Sequence, residues 1–328
     1  MLCKLLHGSY KTIISTDTVK IFQDINSFVR VKNAIVTIGT FDGVHLGHQA
    51  IFRKMAEDAR EIGGETIVVT FHPHPRLVLN IDSSNLRFIT SQEKKMQILE
   101  KIGIDNVIII NFTREFSRTN SKTFIKDYIV EKLRPVRLVI GYDHHFGKNR
   151  MGDFKLLYDL SRKYNFKVER IAAQDVENIA VSSTKIRKAL DSGDVKKANK
   201  LLGYEYTICG IVVHGNELGR KIGFPTANIS TSDQYKLITV CGVYACHIEY
   251  KDRKLEGMGN IGYRPTVSGN DSLTIEVNIF DFDEMIYGEE ICISFVDRIR
   301  NEEKFENLEA LRKQLLIDRE QVKKILTN

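Results

Sequence analysis

The feature that most constrains the fold is a change in hydrophobic period near residue 203. From Asn33 to Ile171, short β-branched runs alternate with amphipathic helical stretches, a pattern typical of a parallel sheet covered by helices. The sequence stays helical to Leu202, and from Tyr204 onward β-like runs are separated by turns. The sequence therefore predicts an α/β protein whose parallel-sheet domain is followed by a mainly antiparallel β domain.

Length and composition agree with two folded domains. The chain has 328 residues, 42% of them apolar and 27% charged, which is enough for two cores of ordinary size. Neither a signal peptide within Met1–Lys20 nor an apolar run long enough to cross a bilayer is present, so we expect a protein that is neither secreted nor membrane-bound.

Local patterns locate the individual elements. In the first domain a helix ends at Gly63-Gly64, and Thr90-x-x-Glu93 is a capping box that opens another helix. At the C-terminus, helices are predicted to open at Asn307 and at Asp318, the second with a capping box. The predicted strands are Ala34–Ile38, Thr66–Phe71, Val107–Ile110, Leu138–Ile140, Tyr206–Val213, Val243–Tyr250, Leu273–Phe280 and Ile291–Val296.

Cysteine count and charge bound the environment and the partners. Five cysteines are an odd number for a disulfide framework and form no Cys-x-x-Cys pair, which favours a reducing cytoplasm. The net charge is +6, but 48 basic and 42 acidic residues are interleaved rather than gathered in a stripe. We therefore expect small phosphorylated ligands as partners, with no nucleic acid and no membrane.

The segment from Gly39 to His48 carries the first chemical pattern. It follows the first predicted strand and opens the first helix, the position where α/β sheets bind ligands. Unpaired N–H groups at a helix N-terminus attract phosphate, the glycines allow close backbone approach, and His45 and His48 can donate hydrogen bonds to phosphate oxygens. The pattern is neither a Walker loop nor a dinucleotide-binding turn.

Several alternatives remain open for this half of the chain. Ser182-Ser183-Thr184 can be a simple helix N-cap, and Pro73 and Pro75 can serve only to extend a loop. A zinc site is the main rival for the predicted loop histidines, which are His45, His48, His72, His74, His144 and His145.

The segment Leu218–Asn228 carries the second pattern. It combines a basic glycine-bearing loop able to wrap phosphates with the oxygen donors Thr226 and Asn228, which suit Mg²⁺. Arg220 and Lys221 can equally be solvated surface charges.

Four ordered motifs in the first half resemble the adenylyltransferase module of bifunctional riboflavin kinase/FAD synthetases. They are Gly-Thr-Phe-Asp-Gly-Val-His-Leu-Gly-His from Gly39, Thr-Phe-His-Pro-His-Pro from Thr70, the Gly141–Asp153 segment and Val-Ser-Ser-Thr-Lys-Ile-Arg from Val181. In the second half, the Pro-Thr-Ala-Asn motif from Pro225 is similar to that of riboflavin kinases. It is followed by matching segments from Gly259, Ile275, Tyr287 and Arg300.

This resemblance implies a fold and a division of the chain. The N-terminal domain, residues 18–202, is expected to be a Rossmann-like nucleotidyltransferase with a parallel sheet. Residues 203–328 are expected to form a Greek-key β-barrel with terminal helices. Residues 1–17 match nothing and are left as an unassigned extension.

The resemblance also implies site residues. Glu276 matches the catalytic base of the kinase, although a strand carboxylate can be a mere solvent-facing residue, and His45, His48 and Arg187 would assist adenylyl transfer. The expected metal ligands are Thr226 and Asn228. Flavin is expected near Phe71, Pro73, Asp143, Arg300, Glu302 and Phe305, although an exposed ion pair is the alternative for the last three. The expected ATP-binding residues are Gly39, Phe41, Asp42, Gly43, His45, His48, Ser183, Thr184, Arg187, Gly219, Arg220, Lys221, Gly223, Thr226 and Asn228.

The implied activity is phosphorylation of riboflavin by ATP to FMN, then adenylylation of FMN by a second ATP to FAD and pyrophosphate, both with Mg²⁺. Flavoprotein acceptors are possible partners, and a monomer or weak homo-oligomer is expected. The alternatives are a flavin-nucleotide binding or regulatory protein without turnover, and an adenylyltransferase with the same His-x-Gly-His motif that acts on a pantetheine or nicotinamide substrate.

Overall fold

The computed structural model describes residues 14–15, 19–80, 86–142, 146–148, 151–172, 175–176, 179–215, 218–265 and 271–327. It divides into two compact units. The first contains residues 1–86 and 92–180, and the second contains residues 87–91 and 181–328. The helical segment after Val181 thus packs with the barrel unit, and the boundary at residue 203 stays a prediction.

The first unit is built on a seven-stranded sheet. Its strands are β1 (Ile14–Ser15), β2 (Lys20–Phe22), β3 (Ile35–Ile38), β4 (Thr66–His72), β5 (Asn106–Asn111), β6 (Arg137–Gly141) and β7 (Lys167–Ile171). Their order is β1-β2-β5-β4-β3-β6-β7, and every neighbouring pair is parallel except β1–β2. A short antiparallel pair, β8 (Asp175–Val176) and β9 (Ile179–Ala180), lies apart from this sheet. The predicted parallel α/β sheet is confirmed.

Helices cover both faces of this sheet. Because side chains alternate along a strand, Val36 and Ile38 of β3 join one buried apolar cluster while Ile35 joins the other. The helical segments are α1 (Leu46–Ile62), α2 (Pro75–Val78), α3 (Gln92–Ile102), α4 (Ser121–Thr123), a π-helical stretch (Phe124–Val130), α5 (Glu131–Leu133) and α6 (Phe154–Tyr164), with 3₁₀ turns at Ile25–Ser27 and Phe116–Arg118.

The second unit starts with two helices and continues as a closed barrel. The helices are α7 (Ser183–Asp191) and α8 (Val195–Leu202), and a short helix, α9 (Leu218–Lys221), lies in a barrel loop. The barrel strands are β10 (Tyr206–Val213), β11 (Ala227–Ser230), β12 (Gly242–Tyr250), β13 (Arg253–Pro265), β14 (Asp271–Ile279) and β15 (Glu290–Arg300). Their order is β10-β11-β14-β13-β12-β15 with every pair antiparallel, so the predicted barrel is confirmed.

The C-terminal helix differs from its prediction. One continuous helix, α10 (Leu308–Thr327), replaces the two predicted stretches, so the predicted helix start at Asp318 is wrong. Asp318 is 1% exposed in the middle of the helix and pairs with Arg300 of β15. Its carboxylate therefore serves a tertiary contact and not a cap.

A disulfide links two neighbouring barrel strands. Cys209 of β10 and Cys292 of β15 are directly opposite each other, with Cα atoms 4.0 Å apart, and their sulfurs are bonded. The odd cysteine count argued against a disulfide framework, and this bond corrects that expectation. Among the residues described, none of the helices combines the length and apolar character needed to span a membrane.

Candidate active sites

The loop after β3 has a constrained backbone. Phe41 and Val44 have φ of 47° and 36°, in the left-handed region that a β-branched residue rarely enters. Gly39 leaves room for the Phe41 ring, since a Cβ at this position would lie 2.7 Å from that ring. Backbone strain of this kind persists where the surrounding structure holds it, and it clusters at functional sites.

The two motif histidines come together at the N-terminus of α1. Their rings are stacked, with centroids 3.7 Å apart, and the ring of Phe41 meets the edge of His48 at 5.2 Å. His45 is the N-cap residue, but no side-chain cap bond is made there. The helix therefore presents uncapped N–H groups, a site worth about 0.3–1 kcal/mol to an anion.

The surroundings keep His48 uncharged. Burial, the neighbouring His45 and the ammonium of Lys95 together hold the pKa of His48 well below its ordinary value. The Nδ1 atom of His48 is buried and has no hydrogen-bond partner among the described residues. A neutral ring with its proton on Nε2 fits this environment, because that tautomer puts the N–H donor on the nitrogen that is not buried without a partner.

The residues predicted to lie near flavin in this unit follow β4. Since β3 and β4 are parallel neighbours, Phe71 and Pro73 lie toward the same sheet edge as the Gly39–Gly43 loop. Phe71 packs with Phe112, 5.8 Å between ring centroids, and keeps part of its surface exposed. Asp143 lies outside the described residues.

The serine-threonine motif of the second unit forms a helix start. Ser182 is the N-cap of α7, and its hydroxyl accepts a bond from the Lys185 amide at 3.3 Å. Ser183 and Thr184 occupy the first turn, and Arg187 donates to the carbonyl of Arg87 at 3.1 Å. The predicted N-cap is thus present, and binding of ATP by Ser183, Thr184 and Arg187 stays a prediction.

The glycine-bearing loop of the barrel closes tightly on itself. The amide of Phe224 donates to the Gly219 carbonyl at 2.8 Å, and a Cβ on Gly219 would overlap the Phe224 carbonyl oxygen. Gly223 has a φ of 80°, which favours glycine. Arg220 and Lys221 are exposed in α9, where cationic side chains can meet an anion or solvent.

Three predicted kinase residues lie together: Thr226 directly precedes β11, Asn228 lies on β11 and Glu276 lies on β14. Thr226 donates its hydroxyl to Glu276 Oε2 at 3.2 Å, and Asn228 is the register partner of Glu276 across β11 and β14. Sequence reasoning missed Asn278, whose buried amide donates to the Pro225 carbonyl at 2.7 Å and so holds the turn before Thr226. A polar residue within the β-like run Leu273–Phe280 was its only sequence signal.

The three predicted flavin-side residues of the barrel unit lie at the end of β15 and in the segment that follows it. Arg300 lies over the Phe305 ring at 5.6 Å, but its guanidinium is held by Asp318, with Nη2 to Oδ2 at 2.7 Å. Glu302 is exposed, and a Cβ on Gly262 would overlap its carboxylate. Arg300 therefore anchors the start of this loop, and the predicted flavin contact stays a prediction for all three residues.

The part of the chain that the structure describes contains no cluster of zinc ligands. No three His, Cys, Asp or Glu side chains are grouped there as a metal ion would require. His144 and His145 lie outside the described residues.

Comparisons with known proteins place each unit in a family. Residues 29–185 match the FAD synthetase family, and residues 202–326 match the riboflavin kinase family. The first match covers the His45 and His48 loop, and the second covers Thr226, Glu276 and Arg300. The fold and sites thus define a flavin-nucleotide transferase with two catalytic units.

Full-length relatives identify the family. Bifunctional riboflavin kinase/FMN adenylyltransferases from Listeria monocytogenes and Bacillus subtilis are 39% and 38% identical to this chain. The matches cover 86% and 90% of this chain and 89% and 93% of the relatives. The chain belongs to the bifunctional riboflavin kinase/FMN adenylyltransferase family, and the prediction of a bifunctional enzyme of flavin nucleotide synthesis is confirmed.

A solved structure shares the architecture of the whole chain. The crystal structure of a macrolide-efflux protein from Streptococcus pneumoniae superposes with a TM-score of 0.83 at 31% identity, covering 92% of this chain and 98% of that one. The likeness extends over residues of both units.

Proposed function

We propose that residues 203–328 phosphorylate riboflavin with ATP to give FMN, and that residues 18–202 adenylylate FMN with a second ATP to give FAD and pyrophosphate. The observation that carries this assignment is that the two units contain different sets of candidate catalytic groups. The barrel holds a carboxylate beside a phosphate-type loop, and the α/β unit holds paired imidazoles at a helix N-terminus.

The kinase step requires a base because the ribityl hydroxyl is neutral before it attacks. Glu276 is half-buried, and its carboxylate accepts the bond from Thr226. Glu276 takes the hydroxyl proton as the new oxygen–phosphorus bond to the γ-phosphoryl group forms, and the bond to the β-phosphate oxygen breaks to release ADP.

Oxygen donors in the barrel fit a magnesium ion. The Thr226 hydroxyl and the Asn228 amide carbonyl are hard ligands, and Mg²⁺ usually takes only one or two protein groups, with phosphates and water completing its shell. The ion would neutralise the phosphate charge that develops during transfer. Thr226 also orients Glu276 through their hydrogen bond.

The adenylylation step needs positioning and charge stabilisation, since the FMN phosphate is already an anion and attacks the α-phosphorus directly. The uncapped start of α1, the neutral ring of His48 and the ring of His45 supply N–H donors toward the triphosphate. An oxygen–phosphorus bond forms to FMN, and the bond to the β-phosphate oxygen breaks to release pyrophosphate.

The remaining assignments are part of the same proposal. ATP is bound by Ser183, Thr184 and Arg187. FMN is bound by Phe71, Pro73 and Asp143. Riboflavin is bordered by Arg300, Glu302 and Phe305. A cytoplasmic location, a monomeric or weakly associated state and delivery of product to flavoproteins stay predictions.

One assay tests both units in the same preparation. The protein is incubated with riboflavin, ATP and Mg²⁺, then separately with FMN, ATP and Mg²⁺, and the flavins are separated by chromatography. Glu276→Gln should lower FMN formation by about 10²- to 10⁴-fold while FMN is still converted to FAD. His48→Ala should do the reverse.

The control for the base is Glu249→Gln, which changes an exposed carboxylate on another barrel strand, β12, and should leave both activities intact. Folding of each variant is checked by circular dichroism. Flavin binding without FMN or FAD would instead favour the regulatory alternative, and equal loss of both activities in a folded variant would contradict two separate sites.

A further inference from the structure

A buried lysine lies beside the phosphate loop of the first unit. Lys95 belongs to α3, outside the motifs, and is only 7% exposed. Lysine is almost never this buried unless its ammonium has a partner, because removing the charge from water costs several kcal/mol or more. Its position therefore requires an explanation beyond the packing of α3.

The partner of this ammonium is the phosphate loop itself. Lys95 Nζ donates to the Thr40 carbonyl at 2.8 Å. Thr40 lies between Gly39 and the left-handed residue Phe41, where the backbone is most constrained. A charge-assisted bond at this point fixes the loop and offsets the partial negative charge of a carbonyl in a segment that receives an anion.

The charge of Lys95 interacts with the neighbouring titratable groups. Burial lowers the pKa of Lys95, Asp42 on the same loop opposes this by favouring the ammonium form, and the resulting pKa is about 8. On the helix side, the ammonium is one of the causes, after burial and His45, that lower the pKa of His48. Asp42, His45, His48 and Lys95 thus form one electrostatic group at the start of α1.

We propose that Lys95 is a positioning residue for adenylyl transfer, which holds the Gly39–Gly43 loop through Thr40 and places a buried positive charge beside the site of the ATP phosphates. The proposal rests on the assignment of that loop to ATP. Lys95 acts through the loop and the histidine pair, and it needs no direct contact with substrate.

This role gives the adenylylation activity an alkaline limit. As pH rises through about 8, Lys95 loses its proton, so the bond to Thr40 loses its charge assistance and the site loses a positive charge. The kcat/KM for ATP reports the free enzyme and should fall over this range. Arginine does not deprotonate there, so a guanidinium that still reaches Thr40 should move the fall to higher pH.

The test compares wild type, Lys95→Met, Lys95→Arg and the control Lys101→Met. Lys101 is an exposed lysine on the same helix. Adenylylation is measured from about pH 6 to about pH 10, with riboflavin phosphorylation by the same samples as the internal check of folding. Lys95→Met should lower kcat/KM for ATP at neutral pH by about tenfold or more and remove the alkaline fall. Lys95→Arg should restore activity and extend it to higher pH, and Lys101→Met should match wild type.

A second measurement does not depend on turnover. NMR titration of His48, assigned with a His48→Ala sample, should show a higher pKa in Lys95→Met than in wild type, because one of the lowering charges is gone. An unchanged His48 titration, or an alkaline fall that persists in Lys95→Met, would overturn the proposal. A wild-type protein that makes no FAD, or unchanged ATP use after His48→Ala, would instead refute the proposed site itself.

Discussion

The buried pair between Arg300 and Asp318 offers the sharpest quantitative prediction. Arg300 Nε lies 3.0 Å from both carboxylate oxygens of Asp318, its Nη2 lies 2.7 Å from Oδ2, and Gln314 donates to Oδ1 at 2.8 Å. The Asp318 side chain is 1% exposed and that of Arg300 15%, so removing the carboxylate leaves a buried cation without its partner. Asp318→Leu should therefore destabilise the barrel unit by about 3–5 kcal/mol.

Urea unfolding measures this loss. The chain has no tryptophan, so circular dichroism is the suitable signal, and the midpoint of the barrel transition should fall by about 1–3 M urea. The Michaelis constant for riboflavin should also rise under conditions where the variant is folded, because Arg300 anchors the loop that carries Phe305.

A double variant separates charge burial from loop anchoring. Arg300→Met with Asp318→Leu replaces both charges by apolar groups and should recover most of the lost stability, since the isolated buried charge is gone. Riboflavin binding should stay weak because the anchor is absent. An unchanged urea midpoint in the single variant, or no recovery in the double variant, would refute this reasoning.

Three further outcomes are expected. Gly215→Ala should reduce kinase turnover while leaving adenylylation unchanged, since a Cβ would overlap the Asn228 amide; equal kinase rates would contradict this. Burial alone would raise the pKa of Asp58, but hydrogen bonds from a lysine and Arg137 lower it below its ordinary value. The ionised carboxylate therefore stabilises the fold above about pH 4, and this stabilisation is lost as pH falls further. Acid unfolding of Asp58→Asn should show a weaker pH dependence than that of wild type. Oxidised protein should be more stable than reduced protein by about 2–4 kcal/mol in urea, a difference that Cys209→Ser removes.

Local patterns predict the elements whose side chains follow one period. β10 spans Tyr206–Val213 in both prediction and structure, because its apolar residues are dense and a turn follows directly. β13, Arg253–Pro265, was missed because Gly257, Gly259 and Gly262 interrupt its pattern. Glycine is needed there for close approach, since a Cβ on Gly259 would lie 2.9 Å from Cys246 Sγ. Strand pairing, and not propensity, defines this element.

In the predicted sites too, residues with a local sequence signal were found and residues defined by tertiary contacts were missed. The motifs predicted the residues that the structure brings together, including His45 with His48 and Thr226 with Glu276. Lys95 follows another lysine in a polar helix start, so its burial depends on the loop across from it and has no local signal. Asp318 fits a capping box locally, whereas its actual partner lies on a strand.

The packing of α8 has a practical consequence for dissecting the enzyme. Asn199 donates its amide to the Phe295 carbonyl at 2.8 Å and accepts from the Tyr206 amide, while Leu201 and Leu202 are buried. A truncated kinase fragment starting at residue 203 would lose these bonds and leave an apolar patch of the barrel open to solvent and aggregation. An expression fragment starting at Val181 keeps the helix pair and is the better choice for calorimetry or crystallisation of the kinase half alone.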